Sequence, residues 1–249
     1  MARARDRRRA GAAPAASTRA ASVDVLRGIA IVAMIAYHFA FDLRFYGVVR
    51  ADFEHGAFWL ASRAAIVTTF LLIVGISLVL ADRARVPTTR FVRRLAIIAA
   101  CALAASIGSY VVYPQTFIYF GILHCIVAAS LIARPLTAHP RLALAIGIAA
   151  VVAGLTLSHP FFDTRLTSWI GFTTVKPPTQ DFVPLFPWLG VVLAGVWAGD
   201  GLARRSFALL ASLARAPGWL ATLGRHALLI YMLHQPLLLG ALWLVLRAA

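Results

Sequence analysis

The sequence contains few charged residues, and acidic ones are especially rare. Only 13% of its 249 residues are charged, and Asp and Glu together number nine, against 24 Lys and Arg. In contrast, 61% of the residues are hydrophobic and the mean hydropathy is +0.82. A soluble domain carries about 25% charged residues. This composition therefore excludes an ordinary soluble protein and indicates an integral membrane protein.

Cysteine is also scarce, and this bears on disulfides and metals. The two cysteines, Cys101 and Cys125, both fall within apolar segments and lack the spacing of metal ligands. A disulfide framework is therefore not expected, and we interpret both as small packing residues. A metal site needs three or four converging ligands. No apolar segment pairs His with His or Glu at a ligand spacing, so no metal is predicted.

Seven segments are apolar over roughly the 20 residues that a membrane-spanning helix needs. They cover residues 25–46, 57–81, 91–112, 116–134, 141–158, 185–203 and 226–247. None alternates as a membrane β-barrel strand does. We predict an all-α fold, a polytopic membrane helix bundle of about seven transmembrane helices. Residues 22–249 are expected to form one transmembrane domain, and residues 1–21 a disordered basic tail, not a cleaved signal.

The basic residues lie between these segments and predict the topology. Eighteen of the 24 Lys and Arg fall in residues 1–27, 82–94, 134–141 and 201–225, which one alternation places on the same side. The positive-inside rule then puts the N-terminus in the cytoplasm and the C-terminus outside, in the periplasm. The formal charge of +15 favours anionic lipid headgroups as partners, not nucleic acid. We therefore expect a multi-pass membrane protein.

The first apolar segment carries four ionisable side chains on one helical face. At about 100° per residue, His38 returns to within about 20° of Arg27, and Asp42 follows one turn later. Asp24 lies three residues before Arg27 and shares this face. Because an unpaired charge facing lipid costs several kcal/mol, the face must meet protein or water. His38 lies about 16 Å along the helix from Arg27, near the bilayer midplane.

Two further histidines reach a similar depth. His124 lies about 15 Å and His234 about 12 Å from the inner membrane face by helical rise. A buried neutral imidazole suits general acid or base catalysis, and Asp42 is placed to orient His38. The alternative interpretation is that each histidine only forms a hydrogen bond with a neighbouring helix.

The inner end of the first segment also has two interpretations. Asp24 suits a helix N-cap, and Arg27 then serves as an anchor at the inner interface. Alternatively, Arg27 faces a cavity and binds a phosphate or pyrophosphate that enters from the cytoplasm. In either case Gly28 lets another helix or a ligand approach the backbone.

Several motifs resemble a known family. The stretch "DVLRGIAIVAMIAYHF", with ten residues between Arg27 and His38, is similar to the first helix of the transmembrane acyltransferases. Five blocks in order resemble the bacterial branch of the heparan-alpha-glucosaminide N-acetyltransferase catalytic-domain family. These are "DVLRGIAIVAMIAYHFAFDLRFYG", "FLLIVGISL", "IYFGILHCI", "DFVPLFPWLGVVLAGVWAG" and "LGRHALLIYMLHQP". The similarity runs from about Ser22 to Leu239.

This resemblance implies transfer of an acetyl or similar acyl group across a membrane. The donor would be cytoplasmic acetyl-CoA, and the acceptor a glycan or glycolipid amine or hydroxyl on the periplasmic side. His38 would be the catalytic histidine, as a general base or a transient acyl carrier. Other candidate catalytic residues are Asp42 and His124. Candidate CoA-binding residues are Asp24, Arg27 and Gly28. Candidate acceptor-binding residues are Asp181, Trp188 and His234.

Two other functions agree with the same polar face. A small transporter would use the His and Asp side chains to relay protons or bind a solute. A non-catalytic membrane subunit would use them to dock a partner helix. The oligomeric state is open, a homodimer included. Only the acyltransferase requires a CoA site at the inner end.

Overall fold

The structure is a computed structural model that describes the backbone of residues 2–248 and the side chains of residues 21–213 and 215–247. Over residues 2–248 it contains α-helices, short 3-10 turns and no β-strand, which confirms the predicted all-α class. The α-helices are α1 (Ala2–Phe45), α2 (Ala57–Arg83), α3 (Thr88–Val112), α4 (Ile122–Ala133), α5 (Pro140–Thr156), α6 (Leu185–Arg204), α7 (Gly218–Arg225) and α8 (Ala227–Ala248). The predicted disordered tail covers residues 1–21, and most of its side chains lie outside those that the structure describes. Its disorder stays a prediction.

Five helices in the described part of the chain are long and apolar enough to span a membrane. These spans are Ala21–Phe45, Ala57–Arg83, Thr88–Val112, Leu185–Arg204 and Ala227–Arg247. The other two predicted spans correspond to α4 and α5, which have only 12 and 17 residues. Helix α4 begins six residues later than predicted, because residues 116–121 form turns and hydrogen bonds to a later loop. The exact number of crossings and the direction of the termini stay predictions.

By its internal contacts the chain divides into two compact units. The first, called unit 1, comprises Met1–Phe70 and Leu202–Ala249, and the second, unit 2, comprises Leu71–Gly201. Each unit has its own set of closely packed glycines.

In unit 1, the part of α1 around Gly28 packs directly against α7. A Cβ atom built on Gly28 would lie 2.0 Å from the carbonyl oxygen of Leu220, and one on Gly224 would lie 1.8 Å from that of Asp24. No side chain fits between the two backbones at this crossing. Before α7, residues 208–215 form a 3-10 helix, and Ser22 donates a hydrogen bond to the carbonyl of Leu210 at 3.0 Å.

In unit 2, residues of α2 and α6 approach each other through glycines in the same way. A Cβ on Gly75 would lie 2.1 Å from the carbonyl oxygen of Val192, and one on Gly195 would lie 2.4 Å from that of Leu72. At the end of these helices, Arg83 and Asp200 form an ion pair. Small residues permit such close helix contacts, which van der Waals packing stabilises within a bilayer.

Large apolar side chains remain exposed on several helices, as expected for a surface in contact with lipid. Leu103 and Val111 on α3 are more than half exposed, and so are Leu237 and Leu244 on α8. In each of these two helices, only 6% of the most apolar 18-residue stretch is buried. A soluble protein would not expose apolar surface on this scale. The protein is therefore a multi-pass membrane protein.

We predict that Gly224→Ala lowers the free energy of unfolding, because the added methyl group would collide with the backbone of α1. Overpacking of this kind costs about 1–3 kcal/mol. The midpoint of thermal unfolding in detergent measures the effect. Gly240→Ala is the matched control, since no atom lies within 4 Å of a Cβ built on Gly240. Equal midpoints for the two variants would contradict the close α1–α7 contact.

Candidate active site

The polar face of α1 is turned toward protein, as its periodicity predicts. The side chains of Asp24 and Arg27 are only 19% and 20% exposed, and Asp42 is 1% exposed. His38 is half-buried on the same face. The opposite face is apolar and open, and includes Ile29, Val32 and Phe39.

Near Gly28, the polar groups of α1 form hydrogen bonds with one another and with α7. Arg27 donates to Asp24 at 2.8 Å and to the carbonyl of Gly224 at 3.4 Å. Because the backbone of Leu220 fills the space beside Gly28, the approach that this glycine permits is that of a helix. Gly28 therefore contacts α7. As a candidate for binding the acyl donor, Arg27 is then better supported than Gly28.

Within unit 1, two of the predicted histidines meet. The ring centroids of His38 on α1 and His234 on α8 are 4.9 Å apart, in an edge-on arrangement. His234 is only 8% exposed, and its Nδ1 lies 2.7 Å from the carbonyl oxygen of Tyr231. A carbonyl only accepts, so we assign the proton to Nδ1. Helix α8 continues through Pro236, just beyond this site.

Asp42 is held by a residue of α8 and not by His38. The side-chain amide of Gln235 donates to Asp42 Oδ1 at 2.7 Å. The other carboxylate oxygen, Oδ2, is buried and has no hydrogen-bond partner. In this arrangement Asp42 forms no hydrogen bond with His38, although the two residues are one turn apart. The predicted role of Asp42 in orienting His38 stays a prediction.

Three buried polar atoms in this cluster have no hydrogen-bond partner among the described residues. They are Asp42 Oδ2, His234 Nε2 and Gln235 Oε1. An unsatisfied buried polar group costs roughly 1–3 kcal/mol, so such groups call for an explanation. Together with His38, these residues form what we call the α1–α8 polar cluster.

An aromatic cluster adjoins His38 on the far side from Arg27. The rings of Phe53 and Trp59 are stacked at 4.0 Å, and Tyr37 contacts both of them edge-on. Tyr37 also contacts His38 at 5.9 Å. The guanidinium of Arg63 on α2 lies within Coulomb range of both Tyr37 and His38. His38 thus contacts the ring of Tyr37 as well as that of His234.

A turn after α1 places Phe53 in this aromatic cluster. Asp52 Oδ1 accepts from the backbone N–H groups of His55 and Glu54 at 2.9 and 3.0 Å. These bonds, the one from His55 foremost, hold the pKa of Asp52 below its usual range. Phe53 is buried as a result of this local fold.

His124 belongs to unit 2, where both of its ring nitrogens are engaged. Nδ1 accepts from the backbone N–H of Gly121 at 3.2 Å, and Nε2 lies 3.3 Å from the hydroxyl of Ser106. Since the backbone N–H must donate, we assign the ring proton to Nε2. This pattern favours the structural interpretation of His124, as a residue that satisfies the start of α4.

Asp181 and Trp188, the other candidates for acceptor binding, also lie in unit 2. Asp181 Oδ2 accepts from the backbone N–H of Ile122 at 2.9 Å, so its negative charge stabilises the first turn of α4. Trp188 is half-buried in the first turn of α6. Cys125 is buried, with its thiol 3.8 Å from the carbonyl of Pro184, as expected for a packing residue.

The loop between α5 and α6 is tied to the linker before α4. Thr179 donates to the carbonyl of Phe117 at 2.7 Å, and the hydroxyl groups of Tyr119 and Ser168 lie 2.8 Å apart. Within the loop, Thr174 donates to Asp163 through its backbone N–H and its hydroxyl. A cavity of about 320 Å³ opens there. It is lined by Tyr119, Asp163, Arg165, Val175, Lys176, Pro177 and Pro178.

Two residues near His38 were missed by the sequence analysis. Gln235 lies inside an apolar segment, where an amide is costly, and that cost was an available signal. Arg63 is one of the six Lys and Arg that lie outside the four basic segments. Its position on α2 gives no periodic link to His38, so no pattern in the sequence identifies this proximity.

The fold and the α1–α8 polar cluster define a class. This is a polytopic membrane protein in which a half-buried histidine of the first span contacts a buried histidine of the last span, and a buried carboxylate of the first span accepts a hydrogen bond from the last. Residues 19–236 match the family described as heparan-alpha-glucosaminide N-acetyltransferase, catalytic. The chain belongs to this family, which confirms the resemblance and implies acetyltransferase activity in general. No curated protein and no solved structure matches the chain.

We predict that the loop between α5 and α6 loosens in acid. Donation from the Thr174 hydroxyl, and then from its backbone N–H, holds the pKa of Asp163 below its usual value. The bonds therefore stabilise the loop above the unfolded pKa, about 3.9, and are lost as the pH falls through the lowered folded pKa. Proteolysis of residues 159–184 at graded pH measures this.

The control for that experiment is Thr174→Val, which removes the hydroxyl and keeps the backbone N–H. Its Asp163 pKa should lie closer to the usual value, so the loop should loosen at a higher pH than in the wild type. Identical acid profiles for the two proteins would contradict the role of this hydroxyl.

Proposed function

We propose that the protein transfers an acetyl or similar acyl group from cytoplasmic acetyl-CoA to a glycan or glycolipid amine or hydroxyl on the other side of the membrane. His38 is the residue that handles the acceptor's proton. The main observation that supports this function is the contact between His38 and His234. The buried carboxylate of Asp42 lies one helical turn beyond His38, and the chain belongs to the acetyltransferase family. The proposal includes the bacterial inner membrane and a cytoplasmic N-terminus.

The depth of His38 supports this function. Helix α1 is continuous from Arg27 to His38, so the two side chains start about 16 Å apart along its axis. A thioester donor from one compartment and a polar acceptor from the other can meet only within the membrane. An imidazole near the midplane is therefore positioned for both reagents.

The chemistry requires a group that accepts a proton. The acceptor's nitrogen or oxygen attacks the thioester carbon, the new C–N or C–O bond forms, and the C–S bond breaks. The proton released by the acceptor passes to the His38 imidazole, which returns it to the departing CoA thiolate. A neutral imidazole performs both transfers near physiological pH. In the other version of this mechanism, His38 carries the acyl group transiently.

The donor's phosphates belong at the inner end of α1. Arg27 carries a planar guanidinium with five N–H donors, which suits a pyrophosphate, and Asp24 and the carbonyl of Gly224 hold its orientation. Gly28 does not fit this role, because α7 covers it. The basic residues near this end of the chain would favour anionic donors and anionic lipid headgroups.

A proton or solute transporter is the second candidate. The specific observation in its favour is that two histidines in contact, with a buried Asp nearby, also suit a proton pathway. A transporter needs no acyl-CoA, which separates the two functions experimentally.

We predict that His38→Ala lowers the acetyl-CoA-dependent transfer rate at least about 10²-fold, because a general base contributes that much or more. Protein purified in lipid nanodiscs, with radiolabelled acetyl-CoA and an amino-sugar acceptor, provides the assay. Leu237→Ala is the control, since its side chain is exposed on the apolar side of α8. A wild-type protein without turnover or CoA binding would favour transport.

We also predict that Arg27→Ala raises the KM for acetyl-CoA about tenfold or more, as expected for loss of a charge-assisted hydrogen bond. The KM for the acceptor should change less than about twofold. Initial rates at varied donor and acceptor concentrations measure both constants. Arg225→Ala, an exposed arginine on α7, is the control. Equal loss for both substrates, or loss of folded protein, would support Arg27 as an interfacial anchor; the N-cap role predicted for Asp24 is wrong, because α1 begins before Asp24.

A further inference from the structure

The unpartnered atoms of the α1–α8 polar cluster are all hydrogen-bond acceptors. Gln235 uses its amide N–H to bind Asp42 Oδ1, so its Oε1 remains. His234 uses Nδ1–H to bind the carbonyl of Tyr231, so Nε2 of the neutral ring carries a lone pair. Asp42 Oδ2 completes the set. A purely structural network would pair donors with acceptors, and this one contains a surplus of acceptors.

Such a surplus fits a ligand that carries hydrogen-bond donors. Asp42 is only 1% exposed, so its unpartnered oxygen lies in a medium of low dielectric. A carboxylate oxygen is a strong hydrogen-bond acceptor there. An N–H or O–H group that enters the cluster would satisfy these atoms and would lie beside the His38 imidazole. A purely apolar group would find no hydrogen-bond partner there.

Gln235 determines which oxygen of Asp42 is available. Its bond to Oδ1 spans from α8 to α1 and fixes the carboxylate orientation, since the alternative partner, His38, does not contact it. Without that bond the carboxylate is free to rotate toward His38. The residue acts through Asp42 and is therefore a positioning residue, not a catalytic one.

We infer that Asp42, His234 and Gln235 form the subsite that binds the donor-bearing nucleophile of the acceptor, with Gln235 as the positioning residue that keeps Asp42 Oδ2 directed to it. This rests on the proposed function for the identity of the bound group as the acceptor. It assigns a role to Gln235, an amide inside an apolar segment, and gives Asp42 a role in binding the acceptor.

The test measures binding as well as turnover. Full-length protein in nanodiscs is titrated with glucosamine as the acceptor probe, in the absence of acetyl-CoA, and separately with acetyl-CoA. The variants are Gln235→Leu, which removes the amide, and Gln235→Glu, which keeps its size but replaces its N–H donor with an acceptor. Leu237→Ala, two residues along α8, is the matched control.

The inference expects both Gln235 variants to bind glucosamine about tenfold more weakly, with acetyl-CoA affinity unchanged and the control equal to the wild type. Retained glucosamine affinity in Gln235→Glu, equal losses for both ligands, or no glucosamine binding by the wild type would overturn it. If the single variants misfold, Asp42→Asn with Gln235→Glu restores a donor–acceptor pair in reversed order. Glucosamine binding without acetyl transfer would refute the proposed function alone.

Discussion

Hydrocarbon offers no partner to a charge or to a polar side chain, and the arrangement of unit 1 follows from that constraint. Helix α1 carries Asp24, Arg27, His38 and Asp42 on a single face, so this face must be covered by protein along its whole length. Helix α7 packs against the part of this face around Asp24 and Gly28, and α8 supplies a hydrogen-bond partner for Asp42. The lipid-facing side of the same helix is left with Ile, Val and Phe.

The two ends of this face differ in how completely their polar groups are satisfied. At the inner end, Arg27 has both a carboxylate and a backbone carbonyl as acceptors, and the surrounding backbones are in direct contact. Around His38, three buried acceptor atoms are left over and the imidazole is half-exposed. Stable proteins rarely tolerate such atoms unless they serve a ligand or a reaction. The polar groups around Arg27 are thus satisfied by protein, whereas those around His38 leave room for a further hydrogen-bonding partner.

Much of this arrangement was predictable from the sequence, and the limits have physical causes. Hydropathy gave the membrane class, and helical periodicity gave the shared face of α1, because both depend only on local order along the chain. Similar depth predicted that His38 and His234 could meet, but azimuth is set by packing, and so the partner of Asp42 was not foreseen. For the same reason the hydrogen bonds that His124 and Asp181 form at the start of α4 were not foreseen, and their functional roles stay predictions. The length of α4 was overestimated, because the apolar turns before it share the composition of a span.

The crossing of α1 and α7 constrains how the protein moves during its working cycle. Where two backbones touch with no side chains between them, neither helix can slide or roll, because any shift brings a bulkier position onto a carbonyl. This crossing acts as a fixed pivot. Any relative movement of α1 and α8 around His38 and His234 would then leave the α1–α7 crossing unchanged.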